Sequence, residues 1–251
     1  MVIKVRYIIF IFFIILTKTN VLSQLPQEEK MLVRISKEVW LGVTAHTKGL
    51  GLNFNIAKFK TYKFKSLVNF EFTNIKDNKE YKIYGAPDQN AKKYVYGKLN
   101  SLSAFRFGIG RRKVVIEKIR DKGIQLALNW SSGFALGLVK PVHLEVLKFD
   151  VLDNFIGISS ERYDPDIHQF SYIYGRARLS SGIFETNFNP GAYFKIGLEF
   201  DYSVVREVIN SLEIGFVMDV FYNSVKIMAE NNANYAFPNL YLNFSIGNKF
   251  Y

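Results

Sequence analysis

The most constraining feature of this sequence is an alternation of apolar and polar residues that recurs three times between Gly191 and the C-terminus. Each repeat runs for about ten residues, the length of a strand that crosses a bilayer, and ends in a polar turn. The last repeat is the clearest. Its apolar positions are Leu240, Leu242, Phe244 and Ile246, and they alternate with Tyr241, Asn243, Ser245 and Gly247.

The charged residues of the three repeats all fall on the second face. In the first repeat that face carries Lys195, Glu199 and Asp201, and in the second it carries Glu213 and Asp219. Neighbouring side chains of a strand point to opposite faces, so the pattern predicts strands with one lipid-facing and one lumen-facing side.

The N-terminus has the pattern of a secretory signal. Lys4 and Arg6 precede the ten-residue apolar run 7–16, and Val21 and Ser23 stand at the small-residue positions of a cleavage site. A run this short does not span a bilayer as a helix. The sequence predicts a signal peptide over residues 1–23, a mature chain that begins at Gln24, a periplasmic segment over 24–36 and a barrel over 37–251.

Composition narrows the classes of membrane protein to which the chain can belong. The chain has no cysteine, which excludes disulfides and the lipid-modified cysteine of a lipoprotein, and no later run approaches a membrane-spanning helix. A closed barrel is the other structure that satisfies its backbone in lipid. Loss of residues 1–23 removes three of the 33 basic residues and none of the 22 acidic ones, which leaves a net charge of +8. No nucleic-acid recognition motif accompanies this charge.

The strand count predicts an all-β, eight-stranded antiparallel transmembrane barrel with long extracellular loops. The even-numbered positions of 124–146 keep one apolar phase, and we interpret this stretch as a single projecting strand. A turn at residues 131–133 would instead give nine strands, and bacterial single-chain barrels have even numbers. The predicted outer connections are 47–49, 75–98, 147–190 and 223–237, and the longest inner one is 111–122.

The chain resembles the small outer-membrane barrels of Bacteroidota, broadly the group of eight-stranded barrels like OmpA and OmpX, over residues 37–251. One element that resembles such barrels is the stretch from Gly133 to Pro141. The resemblance implies a C-terminal insertion signal read by the barrel assembly machinery, made up of Leu242, Phe244, Ile246 and Phe250. It implies a location in the Gram-negative outer membrane, in contact with lipid and lipopolysaccharide.

The predicted lumen contains a cluster of opposite charges. Its members are Glu71, Arg106, Lys195, Glu199, Asp201, Glu213 and Asp219. The interior of an eight-stranded barrel is just wide enough for side chains to fill, and unpaired charges there would be costly. We therefore expect these residues to pair and to close the lumen.

Signals for catalysis and metal binding are weak. His168 and Glu161 could activate Ser171 as a nucleophile. Asp164, Asp166 and His168 could form a metal site. The spacing matches no motif of a barrel enzyme, and Asp-Pro-Asp is ordinary turn chemistry. We predict no catalytic residues, no metal and no cofactor.

The third outer connection is too long to be only a connector. It interleaves aromatic residues with arginines, which are types that anchor protein interfaces; these are Tyr163, Phe170, Tyr172, Tyr174, Arg176 and Arg178. The alternative is an aromatic patch over the barrel mouth or in the headgroup belt. The sequence favours a non-enzymatic accessory or structural subunit of a larger outer-membrane complex, such as barrel-assembly or secretion machinery. The alternatives are a small porin-like solute channel and a lipid-modifying enzyme.

Overall fold

A computed structural model describes residues 36–61, 63–85, 91–118, 123–152, 154–205 and 207–250. The predicted signal peptide, its cleavage before Gln24, nearly all of the segment 24–36 and Tyr251 lie outside the described residues. Among the described residues no helix is both long enough and apolar enough to cross a membrane.

The described residues contain thirteen strands and two short 3-10 helices, at Phe170–Tyr172 and Ile183–Glu185. The strands are β1 (Lys37–His46), β2 (Gly49–Phe59), β3 (Phe64–Ile75), β4 (Lys82–Ile83), β5 (Tyr94–Val95), β6 (Asn100–Ile116), β7 (Gln125–Pro141), β8 (His143–Phe149), β9 (Phe155–Arg162), β10 (Ile173–Arg176), β11 (Asn187–Asp201), β12 (Val208–Val225) and β13 (Asn234–Phe250).

Eight of these strands form one closed antiparallel barrel in the order β1-β13-β12-β11-β7-β6-β3-β2. The first and last strands close it, with Leu41 opposite Ile246 and Val43 opposite Phe244. The strands have 10 to 18 residues, enough to cross a bilayer even when tilted. The predicted all-β, eight-stranded antiparallel barrel is confirmed.

The long connections leave the barrel at one end, called here the loop end, and the short ones at the other, called the turn end. The loop-end connections are residues 47–48, 76–99, 142–186 and 226–233, and the turn-end connections are 60–63, 117–124 and 202–207. This division follows the sequence prediction, including the tight first connection.

The predicted basic connection over 111–122 starts too early, because β6 continues to Ile116. The polar residues at the end of β6 do not end the strand, because Arg112 faces inward and forms ion pairs with carboxylates in the lumen. Likewise the connection predicted over 75–98 is not free of structure. Its short strands β4 and β5 pair with each other.

The stretch predicted as one strand over 124–146 crosses the barrel once, and the alternative hairpin at residues 131–133 is wrong. The prediction of an unbroken strand to Val146 is also wrong. The barrel strand β7 ends at Pro141, and the chain continues after Val142 as β8 in a separate sheet. The apolar phase resumes after the break, so the pattern did not reveal it.

The separate sheet has the order β10-β8-β9 and is called the outer sheet. Its core consists of Tyr94, Leu144, Val146, Tyr163 and Ile173. Leu144 and Val146 share the apolar phase of the predicted projecting strand and pack in this core. A backbone hydrogen bond from Arg176 to Lys92 O at 3.2 Å ties the sheet to the connection 76–99, and one from Ala177 to His143 O at 3.2 Å extends the pairing of β10 with β8.

The two faces of the barrel wall differ sharply. Outward side chains are large, apolar and exposed, as in β6, where Phe105, Phe107 and Ile109 are 50, 49 and 68% exposed. The inward neighbours Arg106 and Asn129 are buried. The inversion of the ordinary arrangement, with apolar residues outside and polar residues inside, places most charged groups of the barrel strands in the lumen; Lys58, Arg111 and Lys113 near the turn end are exposed.

Candidate functional site

The lumen contains equal numbers of acidic and basic side chains among the described residues. The acids are Glu38, Glu71, Glu199, Asp201, Glu213 and Asp219, and the bases are Lys65, Arg106, Arg112, Lys118, Lys195 and Lys249. All seven residues of the predicted lumen charge cluster are buried inside the barrel. Six acids facing six bases leave the lumen with no net charge.

One ion-pair cluster lies toward the loop end and is centred on Arg106. Its guanidinium donates to both carboxylate oxygens of Asp219, at 2.7 and 2.6 Å, and to Glu71 at 2.5 Å. Lys195 donates to the other oxygen of Glu71 at 2.9 Å. Planar, two-point contacts of this kind hold the guanidinium in one orientation.

A second cluster lies toward the turn end. Arg112 bridges Glu38 at 3.2 Å and Glu199 at 2.7 Å, and Lys65 donates to Glu38 at 2.6 Å. Closer to the turn end, Asp201 accepts from two lysines that the sequence analysis did not assign. These are Lys118, at 3.0 Å, and Lys249, at 3.3 Å.

Five charged residues of the lumen were missed from the sequence: Glu38, Lys65, Arg112, Lys118 and Lys249. A signal for several of them was present. In β6, Arg112 lies at an even-numbered position like the inward-facing Arg106. In β3, Lys65 lies at an odd-numbered position like the inward-facing Glu71. The end of β6 is predicted as part of the connection 111–122, so the phase is not followed as far as Arg112.

Polar side chains fill the space between the two clusters. A chain of amides runs from Asn69 to Asn55, Asn53 and Asn243, with N–O distances of 2.6, 2.7 and 2.7 Å. The hydroxyl of Tyr241 donates to Glu213. One remaining cavity in this region has a volume of about 10 Å³, enough for about one water molecule.

Two glycines make room for tyrosines in this layer. A Cβ atom at Gly108 would overlap the hydroxyl oxygen of Tyr193, and one at Gly197 would overlap that of Tyr241. Tyr193 is two strands from Gly108 in one register row, and Tyr241 is two strands from Gly197 in another, so each ring lies along the inner wall over positions without a side chain. The tyrosine rings therefore occupy part of the interior between the two ion-pair clusters.

An apolar cluster closes the loop end of the lumen. Its buried members include Ile75, Leu102, Val217, Phe221, Met228 and Phe237. Phe221 and Phe237 pack edge to face with ring centroids 5.9 Å apart. The connection 226–233 is held over the barrel by backbone hydrogen bonds from Leu99 to Ile227 O and from Ala229 to Gly97 O, at 2.8 and 2.7 Å.

The predicted partner-binding residues do not form one surface. Tyr163 is buried in the core of the outer sheet, where it stacks on His168, because its strand end packs against β8 and Tyr94. Phe170 and Tyr172 are exposed on the 3-10 helix. The remaining three are exposed or half-buried around β10; they are Tyr174, Arg176 and Arg178.

The outer sheet ends in an exposed apolar group that the sequence analysis did not single out. This group, called the aromatic tip, consists of Phe149, Val151, Leu152, Phe155 and Tyr172. The Phe149 ring contacts the rings of Phe155 and Tyr172, with centroids 6.1 and 5.9 Å apart. Val151 and Leu152 are 98 and 78% exposed at the turn between β8 and β9.

The histidines do not assemble the nucleophile set considered above. His168 Nε2 lies 3.2 Å from Glu161, but Glu161 also accepts from Lys148 at 2.9 Å and from Ser159 at 2.9 Å. These hydrogen bonds, from Lys148 first and then from Ser159 and His168, lower the pKa of Glu161 to about 2. Ser171 makes no hydrogen bond with His168 in the described residues.

The possible metal site is likewise not formed. Asp164 Oδ1 accepts from the backbone of Asp166 at 3.0 Å, and the backbone of Asp164 donates to His168 Nδ1 at 3.0 Å. These contacts are those of a turn. Within the described ranges no group of three or more acidic or histidine side chains is placed to hold a metal ion.

The residues of the predicted C-terminal insertion signal lie on the outward face of β13. Phe244, Ile246 and Phe250 are exposed there, and Leu242 is half-buried. This is the face that the alternation predicted for them. Their role in insertion stays a prediction.

No known protein family and no curated protein matches the sequence. The fold is similar to those of solved structures. Ail, the attachment invasion locus protein of Yersinia pestis, is 8% identical, with 86% of this chain and 97% of that chain covered and a TM-score of 0.40. A second structure of Ail, in complex with the heparin analogue sucrose octasulfate, has the same identity and coverage and a TM-score of 0.39.

Neisserial surface protein A, NspA, is also similar. It is 10% identical, with 85% of this chain and 96% of that chain covered and a TM-score of 0.36. At these identities the similarity concerns the fold.

Proposed function

We propose that this protein is a closed outer-membrane barrel that works as a non-enzymatic, partner-binding subunit of a larger envelope complex. The apolar band supports the membrane location, because exposed residues such as Leu41, Phe107 and Ile246 surround a polar interior. In this location the loop end faces the outside, since long loops of such barrels are extracellular. The phylum, Bacteroidota, stays a prediction from resemblance.

The observation that carries the proposal is the aromatic tip. Large apolar side chains that remain exposed on an ordered sheet mark interaction sites, and aromatic residues supply much of the binding energy of protein interfaces. The outer sheet has its own buried core, and hydrogen bonds from Arg176 to Lys92 O and from Val142 to Leu99 O join it and its link with β7 to the connection 76–99. It therefore presents the tip in a fixed place, which reduces the entropy lost on binding.

The closed interior weighs against the alternative of a solute channel. A channel needs a water-filled path, whereas here ion pairs, amides and the apolar cluster occupy the lumen. The hydrogen bonds of His168 weigh against a lipid-modifying enzyme, because its ring nitrogens contact Glu161 and the Asp164 backbone. A nucleophile needs a base within hydrogen-bond reach.

Photo-crosslinking in the native outer membrane tests the proposal. A photoreactive amino acid replaces Leu152 at the tip, and in a control chain it replaces Tyr235, which is also exposed but lies at the start of the barrel strand β13. We expect one defined protein adduct from position 152 and none from position 235. Adducts with lipid alone at both positions would contradict the proposal and favour the headgroup belt as the location of the tip.

A matched pair of variants tests whether the tip holds the complex together. Phe149→Ser with Phe155→Ser removes both rings, and Tyr235→Ser removes an exposed ring elsewhere. The tip variant should lose the stoichiometric partner in mild-detergent purification, while the control retains it. Equal partner recovery from both chains would count against the tip as the interface.

A further inference from the structure

A cleft of about 310 Å³ opens at the loop end, between the connection 76–99, the end of β7 and residues 176–181. Six cationic side chains line it that form no ion pair with a described carboxylate. They are Lys76, Lys82, Lys93, Lys140, Arg176 and Arg178. This cleft is called here the basic cleft.

The basic cleft has little negative charge of its own. Glu80 is the one acidic side chain among its described lining residues, and Lys98 already pairs with it at 2.7 Å. The arrangement differs from that of the lumen, where acids and bases balance. Six like charges around one concave space repel each other and concentrate a positive potential there.

Several contacts hold the walls of the basic cleft in place. Lys140 Nζ donates to the carbonyl oxygen of Leu179 at 2.5 Å, and Lys93 Nζ lies over the ring of Tyr84 at 4.8 Å. The backbone of Arg176 donates to Lys92 O at 3.2 Å, which joins the two sides. The cations therefore belong to an ordered rim and not to independent loops.

Tyr94 belongs to the wall and fixes its position, because it is 1% exposed and packs in the core of the outer sheet with Leu144 and Ile173. Two residues with small side chains, Ser101 and Ala177, also line the cleft and would let a ligand come close to the backbone.

We propose that the basic cleft binds a compact anion that carries two or more phosphate groups. The planar guanidinium groups of Arg176 and Arg178 match the geometry of phosphate oxygens, and the lysines supply further charge without directional demands. The volume suits a small ligand or one headgroup and not an extended polymer. The site lies apart from the aromatic tip, so it goes beyond the proposed protein partner and does not depend on it.

Calorimetry with inorganic pyrophosphate tests the proposal on the refolded chain in neutral detergent. Arg176→Gln with Arg178→Gln should weaken binding at least about tenfold, because each arginine contributes charge-assisted hydrogen bonds. The control, Arg162→Gln with Lys226→Gln, removes the same charge from exposed positions at the loop end outside the cleft and should change affinity less than about twofold. Binding should also weaken as salt is raised.

A second arm distinguishes a lipid headgroup from a soluble ligand. Nanodiscs of phosphatidylcholine are doped with diphosphorylated lipid A, and lipid retention is measured by native mass spectrometry. Retention that pyrophosphate displaces supports the proposal with a lipid source, and pyrophosphate binding without lipid retention supports it with a soluble source. If neither probe distinguishes the cleft variant from the control, the proposal is overturned.

The folded state of each variant is checked by its heat-modifiable migration on gels. If the arginine variant fails to fold, Lys82→Gln with Lys93→Gln replaces it, with the same expected loss and the same overturning result.

Discussion

Arg106 shows how one residue determines the state of the lumen. Its side chain is completely buried and contacts two carboxylates, Glu71 and Asp219, which come from strands on different sides of the barrel. Without it Asp219 would lose its ion-pair partner, and Glu71 would keep only Lys195. The residue therefore joins β3 to β12 across the interior, in addition to the hydrogen bonds between neighbouring strands.

Arg106→Met should lower the free energy of unfolding by about 3–5 kcal/mol, because it leaves two buried carboxylates with too few partners. Thermal denaturation in detergent, followed by circular dichroism or by heat-modifiable migration, measures the effect. Arg111→Met is the matched control, since Arg111 is exposed on the outward face five residues along the same strand. Equal melting temperatures for the two variants and the parent would contradict this role of Arg106.

At the residue scale, the sequence predicted which groups face inward but not all of their partners. The alternation placed Arg106, Glu71 and Asp219 in the lumen, and the structure brings these three together. The alternation did not predict the ion pair between Glu199 and Arg112, because that contact depends on the tilt and stagger of strands far apart in sequence. Partner choice in a closed barrel is set by its register, which alternation does not specify.

At the element scale, the break between β7 and β8 shows why the apolar pattern alone predicted one strand too long. Apolar residues continue in the same phase from Leu138 to Val146, although they face lipid before Pro141 and the core of the outer sheet after it. Either environment accepts an apolar side chain. Pro141 lacks a backbone donor, and Val142 turns its own N–H to Leu99 O at 2.9 Å, which ends the barrel pairing.

The hairpin of β8 and β9 carries a pH-dependent contact at Glu161. Its pKa of about 2 lies below the ordinary value of 4.5, so the charged carboxylate stabilises the folded hairpin. A lowered pKa contributes stability that is fully present above about pH 4.5 and is lost as the pH falls through about 2. The surface exposure of Glu161 screens this contribution.

Lys148→Met should raise the pKa of Glu161 toward its ordinary value, because Lys148 supplies the strongest of the three hydrogen bonds. A carboxyl carbon NMR titration measures the pKa directly, and Glu161→Gln assigns the resonance. Arg162→Met removes a neighbouring cation that has no described contact with Glu161 and should leave the value unchanged. A parent pKa near 4.5, or equal shifts in both variants, would refute the arrangement.

At the scale of the whole molecule, the barrel separates structural from interactive groups. Charges that balance lie inside, as with Arg106 and Glu71, whereas unbalanced cations and exposed aromatic residues lie at the loop end, as with Arg176 and Phe155. Both proposed binding sites therefore lie on the surface that the loops build.

Single-channel recording in planar bilayers tests most directly whether the barrel is closed. The refolded chain is inserted at low density, with a porin of known conductance as a positive control for insertion. We predict no discrete current steps from the parent chain, because the ion pairs around Arg106, the amides and the apolar cluster fill the lumen. Reproducible steps of constant size from the parent chain would contradict the closed interior and restore the channel alternative.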